Sequence, residues 1–262
     1  MPFGSERHLV ETNPLRALFY RWCGAVSIGD KIRAGYVFHA LRPLLNAKTD
    51  RLRVLDAGCG QGFYALRLAQ KVPHLSITAI DIEKEKIRRV NQAISRLGLE
   101  NIQPVVRNLL GLTEHDRYDL ALCVDVLEHI EQDEQAATRL AAALRPGGTL
   151  VVHVPQRGQR HYIGLQPDWH VYGHVREGYS LNELSSLLRG AGLELVYHRH
   201  SFGLWGALSS DLDERFYRFK PLWLLLLPVI LALAWIDAQA NHRWGNGLLM
   251  IARKPVTGTT PG

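Results

Sequence analysis

Cysteine is scarce in this chain of 262 residues: Cys23, Cys59 and Cys123 stand far apart and no CxxC pair occurs. That excludes a disulfide framework and a cysteine-built zinc site, and it fits a reducing compartment. The opening stretch MPFGSERHLVETNPLRALFYRW has no charged region leading into an apolar one and no small-residue cleavage site, so a secretory signal is not expected. Internal repeats are missing, and only the closing TGTTPG reads as a flexible tail, here 256–262. An uninterrupted spanning segment is missing too. The longest apolar run, PLWLLLLPVILALAWI at 221–236, has sixteen residues with Pro228 at its middle, whereas a crossing helix needs about twenty.

The 47% hydrophobic content is ample for the core of one large domain. A formal charge of +6 favours contact with polyanions, either nucleic acid or an anionic membrane surface. Residues 1–50 read as a helical cap, with Leu15, Leu18, Phe19 and Trp22 at helical spacing after Asn13-Pro14 and a second helix near 31–46. From Arg51 to Pro155 short apolar runs alternate with amphipathic ones: RVLDAG, FYALRLAQKV, SITAID, EKEKIRRVNQAISRLG, IQPVVRN, YDLALCVD, EQAATRLAAAL and, after the turn Arg145-Pro-Gly-Gly148, TLVVHVP. This βαβ alternation predicts a doubly wound parallel sheet that binds ligands outside the carboxyl ends of its strands. Residues 156–255 then hold a polar, histidine-bearing loop placed where it could cover a bound molecule as a lid, a helix, the strand-like LELVYHRHSF, an apolar insert at about 205–242, and a last strand in GLLMIARKP.

The densest chemical signal is VLDAGCGQG at 54–62, a strand ending in an acid followed by Gly58, Gly60 and Gly62 at the start of a helix. Glycines permit the tight turn and a close approach of ligand to backbone, and the helix N-terminus offers free amides. Asp81 closes the next strand in ITAIDI, where a carboxylate can accept both hydroxyls of a ribose.

With these residues the chain resembles the class I S-adenosylmethionine-dependent methyltransferases, and CVDVLEHI at 123–130 followed by LRPGGTLVVHVP is similar to their ubiquinone-biosynthesis-like branch. The resemblance covers residues 50–155 well and the remainder loosely. It implies a Rossmann-like seven-stranded α/β sheet, S-adenosyl-L-methionine as cofactor and a small, lipophilic methyl acceptor. It also implies that Gly58, Cys59 and Gly60 line the methionine and ribose moieties, with Asp56 and Gly62 ordering the turn. Asp81 would hold the ribose and Ile82 would pack on the adenine. Asn108 stands where the family commonly has an aspartate; its oxygen would accept from the adenine amino group, with Leu109 beside it. Val124 and Asp125 would lie beside the reactive sulfonium and His129 near the substrate mouth. Neither an Asn/Asp-Pro-Pro-aromatic tetrapeptide nor a Pro-Cys loop occurs. Base methylation is therefore not expected, no nucleic-acid partner is expected, and an oxygen acceptor needing at most one general base is favoured.

Half of the twelve histidines fall between 153 and 200. His170 and His174 are the preferred candidates for the base, His153 the next. His170 and His174 would share a face if helical, but Pro167 and Gly173 argue against a regular helix and no third ligand is apparent, so no metal is expected.

The fold also constrains the apolar insert. Strands six and seven of this sheet form an antiparallel pair on either side of it in the chain, so both its ends return to one side and a single crossing would leave the sheet incomplete. Arg215, Arg218, Lys220 and Arg243 flank it, and Trp223 and Trp235 lie near its ends. Two placements satisfy these limits. One is a monotopic element on the inner face of a membrane, which would make the protein cytoplasmic and membrane-attached. The other is a buried helical pair over the pocket or against a second copy in a homodimer. The expected activity is O-methylation of a small hydrophobic or lipid-like acceptor at a membrane surface; the alternatives are an RNA methyltransferase and a non-catalytic cofactor-binding scaffold.

Overall fold

The computed structural model describes residues 28–46, 52–164 and 169–256. Seven strands form one sheet: β1 (Arg53–Ala57), β2 (Ser76–Asp81), β3 (Ile102–Val106), β4 (Tyr118–Val124), β5 (Leu144–Pro155), β6 (Glu194–Ser201) and β7 (Gly247–Arg253). Their order across the sheet is β3-β2-β1-β4-β5-β7-β6. The first five are parallel, while β7 runs antiparallel between β5 and β6. The central strands are buried on both faces, which is why they read as continuous apolar runs rather than alternating ones.

Helices α1 (Ile28–Asn46), α2 (Phe63–Lys71), α3 (Lys84–Leu97), α4 (Asp133–Ala143) and α5 (Leu181–Gly190) cover the sheet. α3 buries a stripe at helical spacing, Ile87, Val90 and Ala93, whereas α2 buries the consecutive run at 65–69. Ser180 and Glu183 form a reciprocal capping box that starts α5. The expected second helix of the cap is α1, three residues longer at its start; the expected helix after Asn13-Pro14 and residues 257–262 lie outside the described residues. One boundary differs from expectation. The Arg145-Pro-Gly-Gly148 turn sits inside β5, where the register against β4 slips between Tyr118 and Leu120 so that the extra residues are accommodated as an irregularity.

The apolar insert is a hairpin of α6 (Leu204–Phe216) and α7 (Lys220–Gln239). The expectation that the run is too short and broken at Pro228 is corrected here. The helix continues through Pro228, and its 19 residues from Pro221 to Gln239 would reach about 28 Å at a rise of about 1.5 Å each, close to a bilayer core of about 30 Å. Pro228 and Leu224, the residue whose carbonyl it leaves without an intrahelical donor, both lie on the exposed side. Length and composition therefore permit a crossing, and in the fold one stripe of the helix packs against α6 and α1. Trp223, Ile230, Ala234 and Asp237 form one buried stripe. Ser209 Oγ donates to the Ile230 carbonyl, and Trp223 Nε1 donates to Asp213 Oδ1. Asp237 accepts from the Gly206 amide at 2.9 Å and from the Tyr36 hydroxyl of α1 at 2.9 Å, which fastens α7 to both α6 and α1. The opposite face, with Leu224, Leu225, Val229 and Trp235, is exposed.

Asp237→Ala should leave the Gly206 amide buried without a partner, at about 1–3 kcal/mol, while the Tyr36 hydroxyl keeps its second acceptor, the backbone carbonyl of residue 237. Denaturant titration should show that loss, whereas Leu225→Ser, at a side chain 74% exposed, should leave the unfolding midpoint unchanged.

Candidate active site

The site is built at the carboxyl ends of β1, β2, β4 and β5. After β1 the chain turns through Gly58 and Gly60, both with positive φ, and the amides of Gly58 and Cys59 donate to the Ile80 carbonyl at the end of β2. A Cβ at Gly58 would stand 2.3 Å from Val126, so no side chain fits there; a Cβ at Gly60 would meet no protein atom within 4 Å, so open room lies above that backbone. Asp56 is buried and accepts from the Ala65 amide, tying the strand end to α2. Burial pushes its carboxyl up to about 7. Cys59 is buried, and burial raises its thiol, so it packs as a neutral group and not as a nucleophile.

Asp81 Oδ2 accepts from the Gly60 amide at 2.8 Å and Oδ1 from the Glu83 amide at 2.9 Å. The carboxylate thus braces the glycine loop and keeps a lone pair on each oxygen for a ligand hydroxyl. Ile82, 65% exposed, offers an open apolar face beside it. The oxygen of Asn108 accepts from the Leu110 amide and caps the turn Leu109–Gly111, so a ligand amino group would have to share it. The Leu109 side chain is buried in the core.

Two cavities open here. One of about 260 Å³ is lined by the glycine loop at Gly60 and Gln61, by Tyr64, Val124 and Asp125, and by Asp30 and Arg33 of α1. A larger one of about 860 Å³ is lined by His129, His153, His161 and His174, by Glu128, and by Ser210, Asp213, Glu214 and Tyr217 from α6 and the residue following it. Arg33 and Asp125 line both. Asp125 holds a positive φ, its amide donates to the His153 carbonyl, and its oxygens take Arg33 at 2.5 Å and His153 Nδ1 at 2.5 Å. Burial alone would raise its pKa, but the guanidinium of Arg33 and then His153 hold it below the usual carboxylate range.

The histidines separate sharply. His153 is buried with Nδ1 on Asp125 and Nε2 against Ser201 Oγ at 2.9 Å, so both its nitrogens are engaged. His170 lies in the turn Trp169–Tyr172, exposed, stacked on Trp169 and off the cavity wall. Gly173 has positive φ and ends that turn, so His170 and His174 do not share a helical face. His174 does reach the cavity, edge-on to His129 with ring centroids 4.7 Å apart, and burial and then His129 lower its pKa. Ligand atoms of Glu128, His129 and His174 lie within 4.8 Å of one another, a nitrogen and oxygen set that can hold a divalent cation. No metal is expected from the sequence because only the fold brings His174 back over the turn Leu127–His129. Glu128 has no exposed surface and neither oxygen has a partner among the described residues; burial and then Asp125 push its carboxyl well up.

Sequence reasoning missed Arg33, Glu128 and Asp211. Nothing in the pattern of α1 marks Arg33. Asp211 had a signal: it follows Ala207 by four residues and so places an acid on the apolar stripe of α6.

A family model described as a methyltransferase domain matches residues 30–198, more than half of the chain. The ubiquinone biosynthesis O-methyltransferase of Rickettsia typhi is 28% identical over 206 residues, which cover 72% of this chain and 80% of that protein. A putative sarcosine dimethylglycine methyltransferase from Galdieria sulphuraria superposes with a TM-score of 0.63 at 19% identity, covering 85% of this chain and 86% of the other. The N-methyltransferase NodS from Bradyrhizobium japonicum, solved with S-adenosyl-L-homocysteine, gives a TM-score of 0.55 at 19% identity over 96% of both chains. At such identities the solved structures establish the fold alone.

Asp81→Ala should weaken S-adenosylmethionine binding in calorimetry by about 1.5–3 kcal/mol for each charge-assisted hydrogen bond lost. Equal affinity of the variant and parent would remove the ribose assignment. Glu128 makes a second, pH-dependent prediction. Because its folded pKa lies above its unfolded value of about 4.3, the folded state binds the extra proton, and stability falls as pH rises from that value toward the folded pKa, by up to about 1.4 kcal/mol per pH unit. The isosteric Glu128→Gln should flatten this part of the stability profile; a slope unchanged in the variant would show that Glu128 is not its source.

Proposed function

Since the chain belongs to the methyltransferase-domain family and is an S-adenosylmethionine-dependent methyltransferase, we propose that it methylates an oxygen of a small hydrophobic or lipid-like acceptor at a membrane surface. The observation that carries this reading is the two-sided hairpin. α6 and Tyr217 supply one wall of the larger cavity, while α7, packed on α6, turns Leu224, Leu225, Val229 and Trp235 outward. An acceptor with a polar reacting head and an apolar tail suits both surfaces. Its head would enter a cavity of carboxylates, histidines and Arg33, and its tail would stay with the lipid. Exposed Arg215, Arg218 and Arg243 at the margins of the insert suit an anionic leaflet. The similarity to a protein named for O-methylation in ubiquinone biosynthesis supports an oxygen acceptor.

Bound S-adenosylmethionine supplies an electrophilic methyl group. The chain positions what must meet it. Arg33 and Asp125 stand on the wall common to both cavities and are cross-linked by their ion pair, so the passage between them has a defined shape. The acceptor oxygen approaches from the larger cavity, in line with the bond to be broken. A carboxylate at Asp125, kept ionised by Arg33, adds negative charge beside a cationic methyl donor.

Labelled methyl transfer into a cell extract should place label in the lipid fraction; label in RNA would replace this reading with the nucleic-acid one. The parent protein should sediment with anionic vesicles, less so at high salt as surface charge is screened, and Leu225→Ser combined with Val229→Ser should release it with cofactor affinity unchanged. If the parent stays in the supernatant and the double variant converts a dimer into monomers, the exposed face is a subunit contact and the membrane reading is wrong.

A further inference from the structure

One histidine on the wall of the larger cavity has the form of a general base. His161 Nδ1 donates to Asp211 Oδ1 at 2.8 Å, which leaves Nε2 as the bare, accepting nitrogen of the neutral ring. Nε2 is buried with no partner among the described residues, and the side chain is 12% exposed. Asp211, itself buried, also accepts from the amides of Tyr162 and Ile163 at 2.6 and 3.0 Å. The same carboxylate therefore orients the ring and pins the loop that carries it to α6. Asn246 adds a second clamp, accepting from the Arg160 amide and donating to the Arg160 carbonyl. Every other histidine on this wall is differently engaged: His153 has both nitrogens occupied, His129 donates Nδ1 to the Gly173 carbonyl, and His174 packs edge-on against His129. Among the described residues of this wall, His161 alone pairs a carboxylate on one ring nitrogen with an unpartnered second nitrogen, the arrangement that stabilises an imidazolium after proton transfer.

We propose that His161 is the catalytic base of the methyl transfer and Asp211 its positioning residue; the proposal rests on the oxygen-acceptor reading above. A phenolic hydroxyl has a pKa of about 10, so only about a thousandth of it is ionised near neutral pH and a base is needed to make the nucleophile. The O–H proton passes to His161 Nε2, the oxygen lone pair forms the new bond to carbon, and the carbon–sulfur bond breaks with its electrons left on sulfur. Asp211 and Glu214 supply the negative charges facing the imidazolium, which then releases its proton to solvent.

The test uses 4-dodecylcatechol in lipid vesicles as acceptor and 4-nitrocatechol as a spectroscopic probe. His161→Gln should lower kcat on dodecylcatechol about 100-fold or more with S-adenosylhomocysteine affinity unchanged, and Asp211→Asn should lower it less. Below the pKa of free nitrocatechol, the parent with S-adenosylhomocysteine should bind the probe with the visible absorbance of its ionised form, and His161→Gln should bind it neutral. Should His161→Gln lose cofactor affinity, His161→Ala with added imidazole takes its place, and recovered turnover supports the base. Unchanged kcat in His161→Gln, ionised probe bound to that variant, or no recovery with imidazole overturns the assignment. A parent protein inactive on dodecylcatechol while methylating amines in the extract overturns the oxygen-acceptor reading itself and this assignment with it.

Discussion

The carboxylate of Asp237, with no exposed surface, joins three elements that are far apart in the chain. Its oxygens take the Gly206 amide of α6 and the Tyr36 hydroxyl of α1, and His242 lies against it on the way into β7. A Cβ on Gly206 would come within 2.5 Å of the same carboxylate, so helix approach and hydrogen bond depend on each other. This contact holds an otherwise membrane-like helix within a folded domain. Together with the bonds from Ser209 to the Ile230 carbonyl and from Trp223 to Asp213, it sets which stripe of α7 is buried and leaves the other facing outward.

The geometry of the reaction site follows from that placement. Because α7 is pinned to α1, α6 is held over the carboxyl ends of β4 and β5, where Ser210, Asp213 and Glu214 complete the larger cavity. α1 in turn delivers Arg33 to Asp125, the residue that lines both cavities from the end of β4. Asp125 tolerates its positive φ because a short polar side chain can settle there, and its amide and both oxygens are held by β5 and α1. A backbone conformation that costs energy is thus kept on the wall common to the two cavities.

Much of this was legible in the primary structure because it is local. The glycine loop, the acid closing β2 and the βαβ rhythm each depend on residues a few positions apart, and the structure places them as that pattern implies. The roles of the histidines were not legible. His153 lies in an apolar strand and His161, His170 and His174 in the polar loop after it, yet that does not tell that the first is buried between two partners, the second is backed by Asp211 from fifty residues away, the third stacks on its neighbouring tryptophan, and the last meets Glu128 and His129. What separates them is contact between segments distant in the chain. Leu109 shows the same limit on a smaller scale, since its position beside Asn108 follows from sequence while its burial in the core does not.

For the insert the division is sharpest. Sequence alone determined that residues 221–236 are too apolar to lie free in water and that the following strand must return to the sheet. Counting residues and reading Pro228 as a break gave the wrong reason for excluding a crossing, since helix length is a local property and the helix is long enough. Only the tertiary structure decided which face is buried, because that choice belongs to the partners: Tyr36 from α1, Gly206 from α6 and the carboxylate of Asp237 between them. A hydrogen bond between buried groups requires both to arrive together, and no stretch of sequence carries both.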